Sequence, residues 1–346
     1  MTTDSMNAPT NESSADAEDG GGTESVLPPV DLERRRRLRT LLQRQGLLAM
    51  LIALIVFFTI QSPYFFTSSN FFTIAAGATV LATMAASQTF LIVSGGFDVS
   101  VGSTVAMSTV LFGILNENEL PTPIIIALVL LMGAGIGAAN GFIVVQLNVN
   151  PLIATLGTMS IFAGLAFIFS SGQTQVVRND FLRWLTTTKF GPVPVLVVGF
   201  AIIYIIAMTV ERLTITGRRV YAIGGNPEAA RLAGLPVQRI SFLLYVVSAM
   251  SAALAGIFLT GILGSASPQV GSTFLLSVVT AVILGGASLA GGQGSILGTL
   301  VAVAILGVLQ NGFALMALPA YAQTVALGVA LIVAVLIDGA TRRLEK

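Results

Sequence analysis

The sequence predicts an all-α polytopic membrane protein with about ten transmembrane helices and both termini in the cytoplasm. Hydrophobic residues make up 54% of the 346 residues and charged residues only 10%, where a soluble globular domain has roughly 25% charged residues. Ten apolar runs follow one another after residue 45, each long enough or nearly so to cross a bilayer, which takes ~17–25 residues. Basic residues collect between alternate runs, which sets the orientation.

Residues 1–45 are predicted to be a disordered acidic tail that ends in a basic juxtamembrane cluster. Eight of the 16 acidic residues lie before residue 34, and six of the 17 basic residues lie in 34–44. The first 30 residues contain almost nothing to bury, which predicts disorder. Their acidic start and lack of an apolar segment argue against a secretory signal. Residues 46–340 are the predicted transmembrane domain, and 341–346 a short basic cytoplasmic tail.

The predicted spans account for nearly all of the remaining chain. They lie near 46–62, 70–95, 99–116, 122–147, 152–171, 193–211, 240–264, 272–291, 295–314 and 320–338. The first is short, and the eighth gives way to small residues after Leu284. With the amino terminus inside, 14 of the 17 basic residues lie on the cytoplasmic side, as the positive-inside rule expects. An odd number of spans would place one basic terminus outside, so ten is favoured over nine or eleven.

The one long charged interruption is predicted to be a cytoplasmic loop at 212–239 that contains a short helix. A turn is expected at residues 224–226, followed by a helix over 228–233. Asn226 suits the position that caps the helix and Pro227 its first turn, while Gly234 suits its end. A helix ordered in water between two spans is expected to be presented to a soluble partner. The sequence therefore indicates a membrane subunit driven by another protein.

A helix–turn–helix is predicted around the segment SGGFDVSVGST (94–104), which contains Asp98, the one ionisable residue that stands out within the spans. A carboxylate inside a membrane is a functional candidate by default. The alternative, which we favour, is that two glycines break the second helix and Asp98 or Ser100 caps the third. The residues of this turn are Gly95, Gly96, Asp98, Ser100, Gly102 and Ser103.

Other polar features of the spans are uncharged. Candidate residues for a path that carries a neutral, hydroxyl-rich solute are Gln88, Asn140, Asn150, Thr155, Gln310 and Asn311. Each is equally explained as a hydrogen bond between helices. The closely spaced glycines of the fourth and fifth spans are interpreted as close helix packing. The glycine-rich segment 284–298 has no basic residue and no phosphate-binding pattern, so a tight turn is expected there.

At these residues the chain resembles the permease subunits of bacterial ribose-type sugar ABC importers, which carry ribose, galactose, arabinose, xylose and related solutes. The blocks 94–104, 150–165, 216–237, 283–300 and 308–315 match the family in order. The resemblance covers about residues 46–340. One departure lies ahead of the eighth span, where the family often has acidic residues and this chain has Gly271 to Leu276.

The resemblance implies that two permease chains, identical or different, pair around a path across the bilayer. A sugar-binding protein would dock outside and an ABC ATPase inside, with the helix at 227–234 in a groove of the ATPase. The residues that the resemblance assigns to this coupling are Asn226, Pro227, Glu228, Ala229, Ala230, Arg231 and Gly234. The chain itself is expected to have no catalytic residue, cofactor or metal site, and no nucleic-acid partner.

Two other classes of transporter are weighed against this one. A branched-chain amino-acid ABC permease shares the ten-span plan, but its zwitterionic ligand favours a more charged path than one with Asp98 alone. A secondary transporter coupled to ions usually needs carboxylates or histidines in the membrane, and the chain has no histidine. We therefore expect a sugar permease first, an amino-acid permease second and an ion-coupled carrier last.

Overall fold

The structure is a computed structural model that describes residues 46–319, 321–326, 328, 329 and 332. The predicted acidic tail, the carboxy-terminal tail and most of the tenth predicted span lie outside the described residues. The described chain is predominantly helical. Its helices are α1 (Gly46–Gln61), α2 (Ser68–Val93), α3 (Val101–Glu117), α4 (Thr122–Gly141, continued by a π-helical turn, Phe142–Gln146), α5 (Pro151–Ser170), α6 (Asp180–Thr187), α7 (Val195–Leu213), α8 (Ile215–Gly225), α9 (Pro227–Leu232), α10 (Val237–Leu263), α11 (Ser272–Leu284) and α12 (Ile296–Leu315).

Six of the described helices are long and apolar enough to cross a membrane: α2, α4 with its π turn, α5, α7, α10 and α12. Three apolar helices are shorter, namely α1, α3 and α11. The predicted eighth span, 272–291, is too long, because α11 ends at Leu284. Its 13 residues extend about 20 Å at 1.5 Å per residue. Gly285 and Gly286 end the helix, and Gly286 has a φ of +92°, which side chains disfavour.

The core of the bundle is built around α2, α3 and α10. Helix α10 packs against α2, α3 and α4, while α12, α11 and α7 pack against α2. The buried fraction of each helix agrees with this arrangement. The most apolar stretch is 78% buried in α2 but only 22% buried in α5 and in α7. Apolar side chains alone give little drive for helices to associate in lipid. Close backbone packing and polar contacts between helices therefore determine much of how specifically the helices pack against one another.

Glycines on α4 let it approach α10 closely. A Cβ added at Gly137 would lie 2.5 Å from the carbonyl oxygen of Tyr245, and one at Gly133 would lie 2.6 Å from the Cβ of Ala253. Gly141 faces Phe242 in the same way. The prediction of close packing is therefore confirmed for three glycines of α4. Gly135 on the same helix, and Gly157 and Gly164 on α5, have open space around them, so the prediction of close packing is wrong for these three.

The helix α8 is absent from the sequence prediction. Residues 224 and 225, expected in a turn, are the last two residues of α8. The prediction of a turn at 224–226 is therefore wrong by two residues. The segment Ile215–Gly225 contains three glycines and several β-branched residues, which are poor helix formers. Its helix is stabilised by tertiary packing, since Val220 and Ile223 are 1% exposed.

The opposite end of the bundle from α8 and α9 contains short connecting structure. Two antiparallel ladders of two residues each form there, β1 (Gln175–Val176) with β4 (Ser265–Ala266) and β2 (Lys189–Phe190) with β3 (Val193–Pro194). Between β1 and β2 lies α6, which buries Leu182 and Leu185. On its surface Phe181 stacks against Trp184, with ring centroids 5.9 Å apart. At this end, several of the connections between the long helices therefore have regular secondary structure.

Candidate functional site

The short helix α9 is held in a fixed conformation at both ends. Asn226 is its N-cap, and its Oδ1 accepts a hydrogen bond from the Ala229 backbone N–H at 2.9 Å. Pro227 occupies the first turn, where its missing N–H is not needed. At the other end Gly234 has a φ of +80° and donates its backbone N–H to the Arg231 carbonyl at 3.0 Å. The predicted cap, first turn and end of this helix are confirmed.

Almost all of α9 is exposed. Of its six residues only Ala230 is buried, and the other five are exposed. Arg231 donates a hydrogen bond from Nη2 to Glu228 Oε1 at 2.7 Å, and this exposed ion pair lowers the pKa of the Glu228 carboxyl. Beside it the apolar Leu232 is 78% exposed. The surface of α9 thus combines an ion pair with an apolar side chain, a composition suited to a protein partner.

The second feature is a fully buried polar cluster around Asp98. Its Oδ1 accepts hydrogen bonds from the backbone N–H of Ser100 at 2.9 Å and from the Ser100 hydroxyl at 2.6 Å. The Ser248 hydroxyl of α10 lies 3.1 Å from Asp98 Oδ2, and the Asn140 amide of α4 lies 3.4 Å from Oδ1. No ion pair within the described residues involves Asp98. Hydrogen bonds alone therefore satisfy this carboxylate.

The cluster joins five helices. Asn140 donates to the Ser100 hydroxyl at 2.8 Å and accepts from the Thr158 hydroxyl of α5 at 2.7 Å. Gln88 of α2 donates to the Asp98 carbonyl at 2.9 Å, and Thr155 accepts from the Val99 N–H at 3.1 Å. Buried polar groups are costly unless they are paired. This pairing therefore fixes the α2–α3 turn against α4, α5 and α10.

The prediction that Asp98 or Ser100 caps α3 is confirmed for the position of Ser100 but wrong for the capping hydrogen bond. Ser100 holds the N-cap position, but no side chain accepts from the first turn of α3. Instead the Asp98 side chain bonds the residue two positions ahead, which closes the turn. The break itself lies where it was predicted, with Gly95 at a φ of +87°. Two other residues of the predicted turn segment make contacts within or beside α3. Ser103 donates to the Ser100 carbonyl, and Gly102 lies against Gly271.

The six candidate path residues separate into two groups. Gln88, Asn140 and Thr155 meet at the Asp98 cluster, where all are buried. The other three lie elsewhere. Asn150 is exposed and caps α5 by accepting from the Leu152 N–H, and Gln310 is exposed. Asn311 exchanges two side-chain hydrogen bonds of 3.0 Å with Asn70 of α2.

Three members of the cluster were missed by the sequence prediction: Tyr245, Ser248 and Thr158. The hydroxyl of Tyr245 accepts from the Phe97 N–H at 3.3 Å. Nothing local marks these residues, because Ser and Thr also occur in membrane helices as small packing residues.

Among the described residues, no group of three or more His, Cys, Asp or Glu could hold a metal ion.

Comparison with known proteins assigns the chain to a class. Residues 70–336 match the family described as branched-chain amino acid transport system / permease component. The chain belongs to this permease family. The permease is also similar to the ribose import permease protein RbsC of Escherichia coli strain K12, with 36% identity over 304 residues that cover 86% of this chain and 94% of that protein.

Further relatives have similar coverage. RbsC of Bacillus subtilis strain 168 is 33% identical over 308 residues, covering 88% of this permease and 96% of its own length. The autoinducer 2 import system permease protein LsrD of Photorhabdus laumondii is 34% identical, covering 85% and 91% respectively. No solved structure matches the chain. With its long apolar helices, the permease is a multi-pass membrane protein.

Proposed function

We propose that this permease is the membrane-spanning subunit of a binding-protein-dependent ABC importer that carries a monosaccharide. It would form the solute path, while a partner ATPase hydrolyses the ATP. The observation that carries the proposal is α9, an exposed helix capped at its start and end that lies in sequence between two long apolar helices. The choice of a sugar is supported by the relatives named for ribose import, which match over more than nine-tenths of their length.

The surface of α9 is the proposed contact with the ATPase. Glu228, Arg231 and Leu232 supply charge and an apolar side chain, and the capped ends keep them in a fixed arrangement. A rigid helix can transmit a displacement of its partner, whereas a flexible loop would absorb it. On this proposal, closure of the ATPase on ATP moves α9 and switches the path between its outward-facing and inward-facing states.

We further propose a ten-span topology in the bacterial inner membrane, with both termini and α9 in the cytoplasm and α6 outside. The chain has no cysteine, so single cysteines can be introduced without a background. Arg183→Cys in α6 should react with a membrane-impermeant maleimide in intact cells. Ala229→Cys in α9 should react only after permeabilisation. The reverse pattern would invert the topology, and labelling of both in intact cells would contradict it.

The proposed partners are a second permease chain, an ABC ATPase on the face of α9 and an extracytoplasmic sugar-binding protein on the face of α6. The deciding experiment is uptake by vesicles that contain all of these components. Labelled ribose, other monosaccharides, autoinducer 2 and branched-chain amino acids are supplied with and without ATP. Sugar uptake that needs ATP and both partners is expected. Amino-acid uptake would select the other transport class, and uptake driven by an ion gradient without ATP would contradict the proposal.

The role of α9 is tested by two substitutions. Gly234→Pro is incompatible with a φ of +80° and removes the N–H that bonds Arg231. Glu228→Lys replaces an ion pair by two like charges. We expect both to abolish uptake and ATPase binding without preventing insertion. Glu117→Lys at the opposite end is the control for charge reversal. Normal uptake by a well-expressed Gly234→Pro permease would contradict the role of α9.

A further inference from the structure

The backbones of three segments near α9 pack directly against one another, and this backbone contact is called the junction below. The segments are the end of α2 (Val93), the end of α8 (Gly224) and the turn before α12 (Gly292). The Val93 carbonyl accepts a hydrogen bond from the Gly292 N–H at 2.8 Å. A Cβ added at Gly224 would overlap that same carbonyl oxygen and lie 2.6 Å from the Gly292 nitrogen. No side chain separates α8 from the other two segments at this junction.

A polar contact beside the junction ties α8 to α12. The Tyr221 hydroxyl of α8 lies 2.7 Å from Glu211 Oε1 and 3.0 Å from the carbonyl oxygen of Gly294. The same carboxylate oxygen accepts the backbone N–H of Ile296, at the start of α12, at 2.9 Å. A carboxylate is favoured at the amino-terminal end of a helix by the helix dipole. Glu211 in α7 and Tyr221 in α8 thus hold the start of α12.

This contact is buried and only partly satisfied. The Glu211 side chain is 8% exposed. Its Oε2 has no hydrogen-bond partner among the described residues, and its nearest cation, Arg212 Nε, lies 4.0 Å away. A buried oxygen without a donor is unfavourable. The hydrogen bonds of this carboxylate are therefore concentrated on Oε1, the atom that joins α8 to the start of α12.

We propose that Glu211 and Tyr221 are positioning residues that transmit a displacement of α9 to α12 and, through the junction, to the Asp98 turn. Resting on the proposed importer function, the inference names the residues that carry its coupling. Helix α9 follows α8 after the single residue Asn226. Val93 is two residues before Gly95, which begins the Asp98 turn. Closely packed groups resist compression, so a movement of α8 must displace Val93 and Gly292.

The test compares uptake with ATP hydrolysis in vesicles that contain the permease, its ATPase and the binding protein. Tyr221→Phe removes only the hydroxyl, so assembly and ATP hydrolysis should persist. We expect the amount of sugar imported per ATP hydrolysed to fall, because the hydroxyl that joins α8 to Glu211 is lost. Glu211→Ala should behave in the same way. Glu211→Gln retains an oxygen that can accept from Ile296 and should restore much of the ratio.

Matched controls lie at the other end of the bundle. Tyr64→Phe and Glu117→Gln make the same chemical changes away from the junction, and each should leave uptake per ATP unchanged. An unchanged ratio in a fully assembled Tyr221→Phe complex would overturn the inference. Loss of assembly in that variant would also overturn it, because the hydroxyl would then serve folding alone. A wild-type complex that imports no sugar with ATP would instead refute the importer proposal.

Discussion

Replacing Asp98 by asparagine or by alanine separates the hydrogen-bond pattern of the buried cluster from its negative charge. The Ser248 hydroxyl lies 3.1 Å from Asp98 Oδ2 and 3.0 Å from Gln88 Oε1, yet it has one proton and can donate to only one of them. In Asp98→Asn the new amide group can donate to Ser248, which then donates to Gln88. Oδ1 still accepts from Ser100. Asp98→Asn therefore keeps every bond, and we expect a change in unfolding free energy within about 1 kcal/mol.

Alanine at the same position has a different consequence. The backbone N–H and the hydroxyl of Ser100 lose their acceptor while both remain buried. Each unsatisfied buried donor costs about 1–3 kcal/mol, so Asp98→Ala should destabilise the protein by about 2–6 kcal/mol. Ser248 avoids this cost by turning to Gln88.

Thermal unfolding of the two purified variants in the same detergent measures the difference. Equal destabilisation by asparagine and alanine would refute the reasoning, since the charge rather than the bonding pattern would then hold the cluster. Uptake is measured after the same preparations are reconstituted into vesicles with the ATPase and the binding protein. Loss of uptake in a stable, fully assembled Asp98→Asn complex would assign the charge a direct part in transport.

Three further outcomes are expected. Gly137→Ala forces α4 away from α10 and should destabilise the protein by about 1–3 kcal/mol, whereas Gly135→Ala should be neutral or stabilising; equal thermal unfolding would contradict the packing argument. Asn311→Ala removes both side-chain hydrogen bonds to Asn70, which keeps its bond to the Phe65 carbonyl, and should cost about 1–2 kcal/mol in an unfolding assay; unchanged unfolding of this variant would contradict the prediction. The ion pair on α9 lowers the pKa of Glu228, so its contribution is lost only as pH falls through that lowered value. The difference in ATPase binding between this permease and its Glu228→Gln variant should therefore be constant from about pH 6 to 8, and a decline of that difference in this range would contradict the reasoning.

Local signals explain what the sequence could predict. The start of α9 was predicted because asparagine followed by proline marks a helix start within a few residues. Asn150 and Pro151 carry the same signal and begin α5, so helix capping accounts for an asparagine that the sequence offers only as one candidate for a solute path.

Long-range contacts explain what the sequence could not predict. Gln88, Asn140 and Thr155 were each predicted as candidate residues. Their meeting in one cluster could not be predicted, because they come together only when α2, α4 and α5 pack. Helix α8 was missed for a related reason. Its residues are weak helix formers, and the helix depends on a fit against Val93 and the turn before α12.

The aromatic stack on α6 has a practical consequence for following the transport cycle. Trp184 is the single tryptophan of the chain, it is 46% exposed, and it lies at the end of the bundle away from α9. Its fluorescence in the isolated permease therefore comes from one known place. With tryptophan-free ATPase and binding-protein partners, an emission change on ATP addition would report, without an added dye, that the surroundings of α6 change at the end of the bundle away from α9.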